Sequence, residues 1–297
     1  MSENIKEIRC GTIAIVGQPN VGKSTLLNYF VGTKLSITSK KAQTTRYQLL
    51  GIHSTEDTQF IFVDTPGYQL KYLNTMNRGL NKTVLQALRE VDLVLFLIEP
   101  GLMDSTDEKI LSMIPTDTPA VLVINKVDLM KDKEKLLGLM KTFDTLERFE
   151  AIVPTSVKKK SNLMELMQSL KPFLPVQDFI YEVDEITDKN ERFLASEIIR
   201  EKIFRLTGQE LPYSVAIEIE KFEQEGGTRR IFAAIIVDRD SHKPMIIGKK
   251  GARLKEISMS ARLDMERLFG GKVWLETWVK VKKGWADDQR ALKSLGL

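Results

Sequence analysis

Cysteine is almost absent from this sequence: Cys10 stands alone among 297 residues, so no internal disulfide can form. With no metal-spaced partner, Cys10 offers no tetrahedral metal site and reads as ordinary structure. Histidine is nearly as scarce; His53 and His242 are isolated from each other and from any plausible nucleophile, which leaves them surface or packing roles. Long apolar runs are also missing. The longest, residues 93–98, is the size of a strand and far short of the roughly 18 residues that span a bilayer. Residues 1–9 mix charges of both signs without the apolar core of a signal peptide, so a reducing cytoplasm is the expected location. No internal repeat or low-complexity tract interrupts the chain.

What is present is enough sequence for two domains, each with an ordinary share of apolar residues. The net charge of +4 is small but unevenly spread. Residues 176–240 carry 15 acidic and 9 basic side chains, whereas residues 241–297 carry 6 acidic and 13 basic. That asymmetry predicts one surface that faces a polyanion.

Up to about residue 174 the chain alternates short β-branched or apolar runs with amphipathic stretches. The runs are 12–16, 59–63, 92–98, 120–124 and 151–153; the helical stretches include 23–31, 107–113 and 162–170. This order predicts an α/β domain with a mostly parallel sheet, helices on both faces, and active residues in loops at the carboxyl ends of the strands. Pro172 and Pro175 close the pattern, and residues 176–190 are acidic and aperiodic, as expected of a linker. A new order follows: a helix over 191–206, strands over 214–222 and 230–237 turning at Gly226-Gly227, an apolar stretch to Ile247, a glycine loop, a basic helix over 252–269, and a strand over 272–282. That is a separate α+β unit. The predicted division is therefore 1–175, 176–190 and 191–297.

Gly17-Gln18-Pro19-Asn20-Val21-Gly22-Lys23-Ser24 fits Gly-x-x-x-x-Gly-Lys-Ser, between a strand and a helix, with Thr25 next in line. Such a string arises by chance in roughly one chain of this length in a hundred. A polyphosphate needs converging backbone N–H groups at a helix N-terminus, and glycines permit the approach. Lys23 would place its charge on the β- and γ-phosphates, and Ser24 would ligate magnesium. Asp64-Thr65-Pro66-Gly67 follows the strand ending at Val63; Asp64 would hold magnesium and the Gly67 amide would sense the γ-phosphate. Asn125-Lys126-Val127-Asp128 names the base. A carboxylate at Asp128 accepts from the ring N–H and exocyclic amine of guanine, which adenine cannot supply in that geometry. Asn125 would tie loops together, the Lys126 stem would cover the purine, and Thr155-Ser156-Val157 would offer backbone N–H to the base carbonyl.

In Gln43-Thr44-Thr45-Arg46 a threonine can complete the magnesium shell when GTP is present, with Thr45 favoured over Thr44. Tyr68 occupies the place where many small GTPases carry a water-positioning glutamine, so slow intrinsic turnover is expected, with help from a partner, another residue or an added cation. Asn20 is open to two roles, a potassium ligand or a turn residue.

Ile247-Gly248-Lys249-Lys250-Gly251 places Gly-x-x-Gly before a basic helix that carries Arg253 and Lys255. Glycines let a nucleic-acid backbone approach and lysines meet its phosphates, which is how a KH module holds about four single-stranded nucleotides. The tryptophans divide: core packing is expected for Trp274 and Trp278, while base stacking stays open. Lys158-Lys159-Lys160 reads as a solvated loop.

Taken together, the chain resembles the Era family of bacterial GTPases. The resemblance rests on the nucleotide motifs above, on Lys41-Ala42-Gln43-Thr44-Thr45-Arg46, and on Ala-Ser-Glu-Ile-Ile-Arg-Glu-Lys at 195–202. It extends to Glu-Leu-Pro-Tyr-Ser-Val at 210–215, to 247–251, and to Trp-Val-Lys-Val-Lys-Lys-Gly-Trp-Ala-Asp-Asp at 278–288. The resemblance implies a P-loop GTPase domain joined to a smaller type II KH domain that binds the 3′ end of 16S ribosomal RNA. It further implies a role in small (30S) subunit assembly, a monomer, GTP/GDP and Mg2+ as ligands, potassium as an addition, and partial association with the inner membrane. The family commonly has Arg where this chain has Gln18, and Leu where it has Tyr68. Neither change touches a phosphate or magnesium ligand, so turnover rate is affected and not the class of reaction.

Two other readings compete. A signalling or membrane-trafficking GTPase could use the basic C-terminal unit on protein or anionic lipid. A structural RNA-binding protein could retain the nucleotide domain as a scaffold, against which Lys23, Ser24, Asp64 and Asp128 all stand intact.

Overall fold

A computed structural model describes residues 7–38, 46–68, 75–207 and 215–285, without the side chains of 75–80 and 133. Thr44, Thr45, the 210–214 part of the motif quoted above and residues 286–288 lie outside the described residues. The chain divides into two compact units, 1–36 with 45–188 and 37–44 with 189–297.

The first unit is built on a six-stranded sheet. Its strands are β1 (Arg9–Gly17), β2 (Leu49–Ser54), β3 (Thr58–Asp64), β4 (Leu93–Ile98), β5 (Ala120–Ile124) and β6 (Ala151–Pro154), in spatial order β2-β3-β1-β4-β5-β6. All pairs are parallel except β2 with β3. β4 shows why the centre lies there: Leu-Val-Leu-Phe-Leu-Ile is buried at every position, as a strand covered on both faces must be. The helices are α1 (Lys23–Val31), α2 (Thr75–Arg89), α3 (Ser105–Leu111), α4 (Lys133–Asp144) and α5 (Leu163–Leu170). Ala14, Val16, Val94, Phe96, Leu122 and Ile124 form one core with Val84 and Leu88 of α2, Ile110 of α3 and Phe143 of α4. Parallel strands leave their carboxyl ends along one edge, which brings Gly17, Asp64 and Ile124 to the same rim.

β2, α2 and α4 do not appear among the segments expected from sequence. β2 holds Gly51 and His53, which interrupt its apolar alternation, and it owes its place to pairing with β3, whose seven residues are all buried. Residues 176–188, expected as a linker, are fastened along the first unit. The Gln177 N–H donates to the Ile8 carbonyl at 3.2 Å, and Ile52 donates to the Ile186 carbonyl at 2.9 Å. The Ile180 and Tyr181 amides both donate to Gln59 Oε1 at 3.0 Å. The side chain that receives them belongs to β3, so their partner is invisible to local pattern. Cys10 is fully buried, as ordinary structure.

The second unit contains α6 (Glu191–Leu206), β7 (Val215–Glu225), β8 (Thr228–Val237), α7 (His242–Ile247), α8 (Ala252–Phe269) and β9 (Lys272–Val281). β7 and β8 are antiparallel, and β8 and β9 are parallel. Asn190 caps α6 by accepting from the Phe193 N–H at 2.9 Å. One core unites Ile198, Ile199 and Ile203 of α6, Ile257, Ala261 and Met265 of α8, and the inward residues Ile231, Ala233, Ile235 and Val273 of the sheet. The period-2 alternation puts even-numbered residues of β9 on the other face. Trp274 is accordingly 57% exposed and not core, Trp278 is half-buried, and Trp285 beyond the strand is the buried one. Among the described residues no helix is long and apolar enough to cross a membrane.

Candidate functional site

The loop from β1 to α1 wraps tightly because of its backbone. Gly22 has φ of 113°, and a Cβ there would sit 2.2 Å from Nδ2 of Asn125, so the position excludes any side chain. Asn20 is also left-handed, with φ of 69°, and Lys23 opens the helix. The N-terminal N–H groups of α1 thus converge where the sequence predicts a phosphate. The Lys23 ammonium is buried and donates to the carbonyls of Gly17 at 3.0 Å and Gln18 at 2.8 Å. Burial draws its pKa down to about 8, against the opposing pull of the Asp64 carboxylate. Thr25 is exposed on α1.

Asp64 ends β3, fully buried, and its Oδ2 accepts from the Ser24 hydroxyl at 2.9 Å. A hydroxyl and a carboxylate oxygen at this separation form the hard-oxygen set that suits Mg2+. Thr65 anchors the following turn by donating to the Ile15 carbonyl at 2.8 Å, and Pro66, Gly67 and the half-buried Tyr68 continue from it. Tyr68 packs against the sheet core.

The base-side loops meet through Asn125, which is 2% exposed. Its amide donates to the Val21 carbonyl at 2.7 Å, and its Oδ1 accepts from the Val157 N–H at 3.2 Å and from Thr155 Oγ1 at 3.4 Å. Asp128 lies partly exposed in a single 3-10 turn, Val127–Leu129, and accepts from the Ser156 hydroxyl at 2.5 Å. Lys126 has φ of 64° and pairs its ammonium with Glu99 at 2.5 Å. The structure therefore gathers Gly17, Gln18, Pro19, Asn20, Val21, Gly22, Lys23, Ser24, Asp64, Asn125, Asp128 and 155–157 around one rim. Thr45 falls outside the described residues.

Four neighbours of this rim carry no motif in the sequence. Gln18 Nε2 donates to Asp104 at 2.8 Å, and Asp104 is also the cap of α3. Burial raises the pKa of Asp107 in the same cap. Ser36 reaches Asp64, its Oγ donating to Oδ2 at 2.7 Å, and Asn28 Oδ1 accepts from the Ser36 N–H at 2.8 Å. A polar residue within the otherwise apolar inner half of α1 is the one available signal for Asn28.

In the second unit, Gly248 has φ of 71°, and a Cβ there would meet the Arg253 Cβ at 2.7 Å. Lys250 and Gly251 are also left-handed, at 51° and 78°. Lys249 and Lys250 are exposed at the start of α8, and Ile247 just before them is partly buried against the unit's core. Arg253 donates to the Met245 carbonyl at 2.6 Å while staying exposed, and Lys255 is exposed one step on. The positive end of the α8 dipole adds to this charge.

Comparison with known proteins matches residues 12–126 to the family described as 50S ribosome-binding GTPase, and residues 210–286 to the KH domain. The GTPase Era of Chromobacterium violaceum is 50% identical over 97% of this chain and 97% of its own length. That of Coxiella burnetii is 47% identical over 98% of this chain and 99% of its own. Among solved structures, a single-residue variant of Aquifex aeolicus Era bound to GDP·AlF4− superposes with a TM-score of 0.93, at 39% identity, over 97% of this chain and 99% of that one. An Era in complex with MgGDPNP and nucleotides 1506–1542 of 16S ribosomal RNA is equally similar, with a TM-score of 0.93 at 39% identity over the same shares.

Proposed function

The chain belongs to the Era family of GTPases, and we propose that its GTP cycle gates binding of the second unit to the 3′ end of 16S ribosomal RNA during small-subunit assembly. The observation that carries this reading is the loop 248–251: two exposed lysines on left-handed glycine geometry at a helix N-terminus, in the same chain as a guanine-nucleotide rim.

GTP phosphates would lie against the α1 N-terminus, with Lys23 charged by their proximity and the Asp128 carboxylate selecting guanine. Ser24 and Asp64, with Thr45, would hold Mg2+, which neutralises phosphate charge and orients the β- and γ-oxygens. The Gly67 amide would sense the γ-phosphate. Asn20 can supply a side-chain oxygen to a potassium ion, and its left-handed angle suits the turn as well. Tyr68 cannot orient an attacking water as a glutamine does, so turnover is slow until a partner contributes. On the RNA side, Lys249, Lys250, Arg253 and Lys255 would hold phosphates, and Ile247 with Gly248 and Gly251 would form the floor on which bases lie. A coupling of about 1–3 kcal/mol would change RNA affinity by one to two decades. The protein would act as a cytoplasmic monomer.

The test is binding of a fluorescent single strand carrying the 16S 3′-terminal sequence, with a GTP analogue, with GDP and without nucleotide. Sequence-dependent binding strongest with the analogue is expected. Weak, sequence-blind binding in all three states would overturn the gating and favour a protein or anionic-lipid partner, for which inner-membrane association would be the natural setting.

A further inference from the structure

The magnesium side of the pocket contains one more hydroxyl than the reaction requires. Asp64 Oδ2 accepts from Ser24 at 2.9 Å and from Ser36 at 2.7 Å. Both serines must donate, because an ionised carboxylate only accepts. Ser36 is 4% exposed, and its place is fixed by Asn28 of α1. Asn28 Oδ1 accepts from the Leu35 N–H at 2.9 Å and the Ser36 N–H at 2.8 Å, while its Nδ2 donates to the Ser36 carbonyl at 2.7 Å. Three bonds from one side chain thus clamp the main chain on both sides of the Ser36 peptide, and buried Leu35 holds the preceding residue in the core. All these residues belong to the first unit.

We propose that Ser36 is a positioning residue that competes with a metal-bound water for Asp64, and so sets how readily magnesium, and with it the nucleotide, is released. A carboxylate oxygen presents two lone pairs in plane, and here two hydroxyls address them. Ser24 can ligate magnesium through its oxygen and still donate its proton to Asp64. A water on the metal that donates to this same Oδ2, by contrast, takes the lone pair that Ser36 holds and displaces it. The Asn28 clamp keeps Ser36 poised to return, which favours the metal-free arrangement. The device is intrinsic to α1 and the loop after it, and it requires no exchange partner. The proposal rests on assigning Asp64 to the magnesium side.

The experiment follows release of a fluorescent GDP from the full-length protein across a magnesium titration, for the wild type, Ser36→Ala and Asn28→Ala, with a melting curve for each. Ser36→Ala is expected to release GDP about fivefold more slowly at saturating magnesium, the factor one hydrogen bond carries. Its magnesium midpoint should fall by a similar factor, and the difference should vanish in EDTA, which a merely structural role would not produce. Asn28→Ala should shift in the same direction and carries the test if Ser36→Ala does not fold. Release from Ser36→Ala that matches or exceeds the wild type at every magnesium concentration overturns the role of Ser36. Wild-type release that ignores magnesium overturns instead the assignment of Asp64, and the proposal with it.

Discussion

Asn125, on the loop after β5, donates its side-chain amide to the main-chain carbonyl of Val21, 2.7 Å away in the phosphate loop. The same side chain accepts from Val157 on the loop after β6, so one buried residue joins three loops that no stretch of sequence brings together. Replacing it with Ala would leave the Val21 carbonyl and the Val157 amide without these partners. Each such buried group costs about 1–3 kcal/mol. Asn125→Ala should therefore weaken GDP and GTP by a similar factor, roughly 10- to 100-fold, and lower the denaturation midpoint of the nucleotide-free protein. Titration with both nucleotides checks this; a loss confined to GTP would mean that the residue senses the γ-phosphate instead.

Asp128 is held by the Ser156 hydroxyl at 2.5 Å, which fixes its carboxylate toward the base-side loop. Guanine presents two donors to such a carboxylate, whereas xanthine presents a carbonyl in place of the amine. Asp128→Asn turns one acceptor into a donor. Affinity for GTP should fall by several kcal/mol, of the order expected when buried polar groups are mismatched, while XTP should gain. Competition between the two nucleotides for a fluorescent analogue measures the ratio, and an unchanged preference for GTP would place the base elsewhere.

Legibility in the sequence follows how local the determinants are. α1 begins at Lys23 and α8 at Ala252, as glycine loops and apolar spacing indicate, because caps and periodicity act within a turn or two. β2 is set by its partner β3, and the run 176–188 by a Gln59 side chain more than a hundred residues away, so neither has a local signature. The site divides in the same way. Lys23, Ser24, Asp64 and Asp128 stand in motifs that their spacing makes legible. Asn28 and Ser36 join the site only when the loop after α1 folds back onto it, and Gln18 meets Asp104 only once α3 is in place. Trp274 departs from the core placement that its size suggests, because the strand's period of two turns it outward.

The buried ammonium of Lys23 predicts a pH dependence. Its pKa stands at about 8 in the folded protein against the ordinary 10.5, so the unfolded chain holds more protons between those values. Stability contributed by this group therefore rises with pH across that window, and its full cost is present below pH 8. Relative to Lys23→Met, the nucleotide-free wild type should gain roughly 2–3 kcal/mol between about pH 7.5 and 10. Guanidinium unfolding at several pH values measures the difference. Bound GDP, by placing phosphates beside the ammonium, should flatten the curve. A constant difference between the two proteins across the window would show that Lys23 keeps its ordinary pKa.

Lys249 and Lys250 are exposed on the left-handed turn that opens α8, with no side-chain hydrogen bond or ion pair to either among the described residues. Groups so placed can meet phosphates but carry no base-edge specificity, so their loss should act on all sequences alike. Neutralising a phosphate on a single strand contributes about 0.7 to the slope of log affinity against log salt. Lys249→Ala with Lys250→Ala should reduce that slope by roughly 1.4 and weaken the 16S 3′-terminal strand and a scrambled strand by the same factor. Gly248→Ala acts differently, since a Cβ there would sit 2.7 Å from the Arg253 Cβ and the loop itself must move. That variant should weaken the specific strand more than the scrambled one, because the floor beneath the bases is disturbed along with the charge. Binding isotherms over a series of salt concentrations separate the two effects. If both variants lose affinity with unchanged slope, the lysines do not touch phosphate, and the polyanion-facing surface must be sought along α8 at Arg253 and Lys255.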